Sequence, residues 1–171
     1  MVRGRAWRRI SAMTTTRPAR ASEAAAVQRL VLDAYQHYPP RIGVTPAPMT
    51  ADYTALVAGG HVHVAEQDGE LVGVLVLAPH PDHLRIENVA VVPAAQGRGI
   101  GTTLLAVAER EAADRGLPEL RLFTHERMTE NIAYYSRQGY VETHRTDDGG
   151  FHRVHFAKTL TGAALKSKPS Q

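Results

Sequence analysis

Glu87-Asn88-Val89-Ala90-Val91-Val92-Pro93-Ala94-Ala95-Gln96-Gly97-Arg98-Gly99-Ile100-Gly101-Thr102 is the stretch that decides the fold. It reads as three pieces in a row. A β-branched, apolar run makes residues 83–92 a strand, and Pro93 ends it because proline cannot donate to a ladder. A short loop comes next, with glycine at 97, 99 and 101. Residues 99–115 then form the longest helix, with Ile100, Leu104, Val107, Ala108 and Ala112 along one stripe. Gly116 and Pro118 close that helix.

Working outward, the same signals recur on both sides. Residues 17–20 suit a short first strand. Ser22 is placed to cap a helix over 23–36, with Val27, Leu30, Val31 and Ala34 on one face. Tyr38-Pro39-Pro40 is expected to end it. After a proline-rich loop, Thr50 is placed to cap a second short helix, which Gly59-Gly60 stops. Residues 61–67 and 70–78 read as strands joined by Asp68-Gly69, a two-residue hairpin signal. Downstream come a strand over 120–124, a helix over 129–138, and strands over 140–145 and 151–159 around Asp147-Asp148-Gly149-Gly150. The order predicts an α/β (α+β) single domain with a central mixed, mainly antiparallel sheet and about four flanking helices.

The loop carries chemistry as well as a turn. Glycines let a ligand approach the backbone without a Cβ in the way. The first turn of the following helix has unpaired N–H groups and a positive dipole end, so the loop suits a pyrophosphate. Arg98 adds charge nearby. Two nucleotide motifs fail on it. A Walker loop ends in Gly-Lys-Ser or Gly-Lys-Thr, and here Gly101 precedes Thr102-Thr103. A dinucleotide fingerprint needs a third glycine where this chain has Thr102 or Leu104.

The loop does resemble the signature of the GNAT superfamily of acyl-CoA N-acyltransferases, Gln/Arg-x-x-Gly-x-Gly/Ala, through Gln96, Gly99 and Gly101. Val89-Ala90-Val91-Val92-Pro93 is similar to the family's central strand, and the order of elements agrees over about 15–160. The resemblance implies acetyl-CoA as co-substrate. Its pyrophosphate would lie on Gln96, Gly97, Arg98, Gly99, Ile100, Gly101 and Thr102, and its pantetheine arm along Val89, Ala90 and Val91. Asn131-Ile132-Ala133-Tyr134-Tyr135-Ser136-Arg137-Gln138-Gly139-Tyr140 resembles the family's second motif. That spacing implies Tyr135 as the acid that protonates the departing thiolate. Where many members carry a CoA-contacting asparagine, seven residues before the tyrosine, this chain has Met128; Asn131 is the substitute expected to contact CoA. Glu87 matches the glutamate that takes the amine proton through water, and a backbone N–H near Val89 would serve the oxyanion.

Acceptor choice in this family lies with the first helices and the loop between them, here residues 35–53. Arg41 is suited there to an acceptor carboxylate. His80 and His83 are further acceptor contacts or alternative bases. The nine histidines show no H-E-x-x-H spacing, and no metal is expected.

Composition narrows the rest. The 171 residues suit one domain. There is no cysteine, which excludes disulfides, thiolate zinc sites and a cysteine nucleophile, and fits a reducing cytoplasm. No apolar run reaches membrane-spanning length, so no membrane partner is expected. Residues 1–14 include Arg3, Arg5, Arg8 and Arg9 without an acid and read as a disordered extension. Residues 161–171 read as a loose tail. With a near-neutral body between them, nucleic acid is not favoured as a partner. Sheet-edge pairing into a homodimer is compatible with a small domain of this kind. The expected activity is acetyl transfer to a primary amine by direct transfer in a ternary complex. The alternative is a non-catalytic acyl-CoA-binding sensor.

Overall fold

The computed structural model describes residues 13–162. The extension and tail expected at 1–14 and 161–171 therefore fall almost wholly outside the described residues. A seven-stranded sheet runs in the order β1-β2-β3-β4-β5-β7-β6. Its strands are β1 (Thr15–Pro18), β2 (Val62–Gln67), β3 (Glu70–Pro79), β4 (Leu84–Val91), β5 (Glu119–His125), β6 (Val141–Asp148) and β7 (Phe151–Thr159). All neighbours are antiparallel except β4 and β5. The helices are α1 (Ala24–Tyr35), α2 (Tyr38–Ile42), α3 (Tyr53–Ala58), α4 (Ile100–Asp114) and α5 (Thr129–Arg137). The α/β class and the mixed, mainly antiparallel sheet are as expected. None of these helices is long and apolar enough to cross a membrane.

Two apolar layers sandwich the sheet. On one face Val27, Leu30, Val31 and Ala34 of α1, with Tyr53 and Val57 of α3, cover Val64, Val74, Val76 and Ala90. On the other, Ile100, Leu104, Leu105 and Ala108 of α4 cover Leu75, Leu77, Leu84 and Ile86. Both predicted helix stripes are buried. Covered on both faces, β3 is an unbroken apolar run rather than an alternating one.

Gly73 sets how closely α4 lies on the sheet. A Cβ there would meet Leu104 Cδ1 at 2.9 Å and Ile100 Cγ2 at 3.0 Å. Gly73→Ala is expected to cost about 1–3 kcal/mol by overpacking, read as a lower urea midpoint with unchanged slope.

Local signals were partly displaced by tertiary ones. Ser22 does not cap α1: the chain enters through a 3-10 turn at Ala21–Glu23, and the Glu23 carboxylate accepts the Arg20 N–H at 2.7 Å. The second cap is Asp52, which accepts from Ala55 N–H at 3.0 Å, while Thr50 turns back to Ala47 O. α1 ends at Tyr35, just before Tyr38-Pro39-Pro40 as expected, but those residues also start a second helix. Prolines in a first turn sacrifice no helical bond. The first strand lies at Thr15–Pro18 rather than 17–20. β6 extends to Asp148, leaving Gly149-Gly150 as a two-residue turn with φ of 63° and 95°.

Arg17 pins β1 down, donating to Glu23 at 2.7 and 2.9 Å and to Glu66 at 2.7 Å. Hydrogen bonding to Arg17 holds the Glu23 carboxyl down at about 2, against an ordinary 4.5. A depressed carboxyl adds stability that is present above about pH 4.5 and lost as pH falls toward 2. Acid titrations of Arg17→Met should therefore lose less stability over that window than the parent chain.

Candidate functional site

The site begins with a fault in the sheet. β4 and β5 pair only through Leu84 with Leu120 and Arg85 with Arg121, then diverge. Opposite, the register against β3 slips between Ile86 and Asn88, which leaves Glu87 as a bulge. The slip inverts the facing of the later residues of β4. Before it, Leu84 and Ile86 pack toward α4; after it, Val89 and Val91 do, and Ala90 turns toward α1. Val92 N–H bonds Val72 O on the β3 side at 3.0 Å. Successive N–H groups alternate edges, so those of Val89 and Val91 point into the splay.

Two cavities open from this splay. The smaller, about 490 Å³, is walled by Val89, Ala90, Val91, Gln96, Gly97, Gly99, Ile100, Gly101, Thr102 and Asn131, among others. The larger, about 580 Å³, takes in Glu87, Asn88, Tyr53, Pro46, Pro48, Met128, His125, Phe151 and Arg153. Four residues line both: Tyr35, Val89, Asn131 and Tyr135. The cavities meet there.

The glycine loop leaves open space beside its backbone. Gly97 and Gly99 have φ of 76° and 80°, and no atom would meet a Cβ on either within 4 Å. Gly99 is the N-cap of α4. Gly101 is required by packing, since a Cβ would lie 2.8 Å from the Tyr134 hydroxyl. Gln96 donates to Val91 O at 3.1 Å, satisfying a carbonyl that the splay leaves without a strand partner. It thus fastens the loop to β4. Arg98 is exposed and belongs to neither wall.

Tyr135 is buried between Tyr134, Tyr140 and Phe156. Burial pushes its phenol well above the ordinary range, so it holds its proton at neutral pH. Asn131 donates toward Thr124 Oγ1 at 3.4 Å, which steadies it on the boundary of the cavities. Glu87 faces the larger cavity with its carboxylate paired to Arg85.

Several residues of this site are not singled out by the sequence. Asn88 accepts from the Tyr35 hydroxyl at 2.7 Å and donates to the Tyr53 hydroxyl at 3.3 Å, and Tyr53 donates to Pro48 O at 2.8 Å. This buried chain ties α1, α3 and the proline-rich loop to β4. His125 and Arg153 also escape a reading of motifs. Their signal is present all the same: reading Leu120, Leu122 and Thr124 inward leaves Phe123 and His125 on the opposite face.

Three acceptor expectations need correction. Arg41 lines neither cavity; it forms a two-pronged pair with Glu130 at 2.7 and 2.8 Å. His83 is buried against Asp82 at 2.7 Å and stacks on His80, and neither reaches the cavities. Among the described residues no three His, Asp or Glu side chains converge as metal ligands.

A splayed β4–β5 pair, a glycine loop at the head of α4 and a tyrosine lining two adjoining cavities thus come together on one α/β domain. The family model described as Acetyltransferase (GNAT) family matches residues 25–140, and the chain belongs to that family. It is 41% identical over 85 residues to a mycothiol acetyltransferase of Nocardia farcinica, covering 48% of this chain and 27% of that protein. It is 33% identical over 90 residues to an aminoalkylphosphonate N-acetyltransferase of Salmonella typhimurium, covering 49% and 58%. The chain thus spans less than two thirds of either curated relative. The fold matches the PaiA N-acetyltransferase of Thermoplasma acidophilum, a structure in complex with coenzyme A. There the TM-score is 0.73 and the identity 15%, over 86% of this chain and 99% of that one.

Proposed function

We propose that the chain transfers an acetyl group from acetyl-CoA to a primary amine, directly, in a ternary complex. The observation that carries this reading is the pair of cavities meeting at Tyr35, Val89, Asn131 and Tyr135. A donor held along Val89–Val91 and the glycine loop would present its thioester there, and an amine would enter from the larger cavity.

The chemistry rests on what each group offers. The amine nitrogen attacks the thioester carbon, and the carbonyl π pair moves to oxygen. The Val89 N–H, directed into the splay, is the donor for that oxyanion. Collapse breaks the C–S bond, and the thiolate takes the proton of Tyr135. Glu87 accepts the proton lost by the amine, through water. The products are an amide and free CoA; Glu87 gives up its proton to solvent and Tyr135 regains one from it, which restores both groups. A sensor that only binds acyl-CoA has no use for a second cavity reaching the same tyrosine, which favours the transferase reading.

The test is free-thiol release from acetyl-CoA against a panel of primary amines. Amine-dependent release is the expected result. Binding of CoA with no release for any amine would instead favour the sensor.

A further inference from the structure

The larger cavity has two ends of different character. Glu87 stands on β4 at one side of the splay. Across it, on β5 and β7, His125 and Arg153 are direct cross-strand partners. Side chains opposed in this way on one face lie within about 5 Å at Cβ. Both line the cavity.

Each of the two carries an unused donor. His125 is only 4% exposed. Its Nδ1 accepts the Arg127 N–H at 3.1 Å, which an imidazolium could not do. The ring proton is therefore on Nε2, and burial lowers the ring's tendency to take a second. Nε2 has no partner among the described residues, and neither does the Arg153 Nε. Arg153 is also held in place. Its guanidinium lies 4.9 Å from the Phe123 ring centroid and 5.2 Å from that of Phe151, and its Nη1 pairs with Asp148.

Two adjacent buried donors without an acceptor are costly unless something supplies the missing oxygens. Two N–H donors on neighbouring residues suit a group with two acceptor oxygens, and the guanidinium charge of Arg153 makes a carboxylate the best match. Resting on the transferase reading, we infer that the acceptor is an amine that also carries a carboxylate, held by His125 Nε2–H and Arg153, with its amino group directed to the Glu87 side. The cavity between is largely apolar, with Ile86, Leu122, Met128 and Phe151 in its wall. That favours an amino acid with an apolar side chain. Arg153 takes the part expected of Arg41.

The experiment compares thiol release with L-phenylalanine and L-methionine against their amides and against phenethylamine. The acids should exceed their amides by about tenfold or more in kcat/KM. Arg153→Gln should raise KM for the acids by about tenfold and erase the preference, leaving KM for acetyl-CoA unchanged. His125→Phe should act in the same direction, and His125→Gln, whose amide can donate from a similar position, should restore part of the effect. Thermal melting of each variant checks that the fold is kept. Equal turnover of acids and amides, or a preference that survives Arg153→Gln, overturns the acidic acceptor while leaving the transferase intact. Absence of release with every amine overturns both.

Discussion

Tyr135→Phe is expected to lower kcat about 100-fold while KM for acetyl-CoA changes less than about threefold. The two side chains differ by one hydroxyl, so the packing against Tyr140 and Phe156 persists. Tyr135 lines both cavities, and its hydroxyl keeps its proton because burial disfavours the phenolate. A group like this donates only when negative charge forms beside it, and in the proposed reaction that charge is the departing thiolate. Initial rates over a matrix of both substrates check the prediction. An unchanged kcat would remove Tyr135 from the chemistry and leave it a core aromatic.

Gly99→Asp should weaken CoA binding by about 100-fold with little loss of stability. Gly99 has φ of 80°, a conformation most side chains resist. Aspartate tolerates it better than most. No atom of the protein would meet its Cβ, so the cost of fitting it is small. Its carboxylate would lie in the cavity wall at the head of α4, where the helix dipole and free N–H groups favour a phosphate. Two like charges would then compete for one anion site. Calorimetric titration with CoA, beside a urea melt, separates loss of the ligand from loss of the fold. Undiminished affinity would mean that the pyrophosphate lies elsewhere.

How far the sequence can be read depends on how local the cause is. Gly97, Gly99 and Pro93 act on their own backbone, so the turn from β4 into α4 is legible. The buried stripe of α4 is legible for the same reason, since a period of 3.6 is a property of one helix. The Asp68-Gly69 hairpin is as well: both residues adopt positive φ, at 50° and 80°. Features that depend on a partner far along the chain are not. The bulge at Glu87 is a register relation between β3 and β4, and no single strand announces it. Arg41 suits an acceptor carboxylate only while Glu130, its partner in space and remote in sequence, is out of view. Thr50 is a reasonable cap that loses to Asp52, and Ser22 is absorbed into a 3-10 turn whose Arg20 N–H is taken by the Glu23 carboxylate. His125 and Arg153 become a pair only through the β5–β7 register. Their alternation outward is visible in the sequence, but not the surface they face.

The glycine loop reads in sequence as a holder of one ligand. The structure adds that Gln96 acts on Val91 O, that Arg98 stands outside the wall, and that a second cavity of comparable size shares Tyr135. Donor and acceptor are proposed to meet in that shared space. Initial-rate kinetics with both substrates varied, using whichever amine of the panel is turned over, test this most directly. Double-reciprocal lines that intersect are predicted, because both substrates must be bound before transfer. Parallel lines, with acetylated protein isolated in the absence of amine, would contradict it.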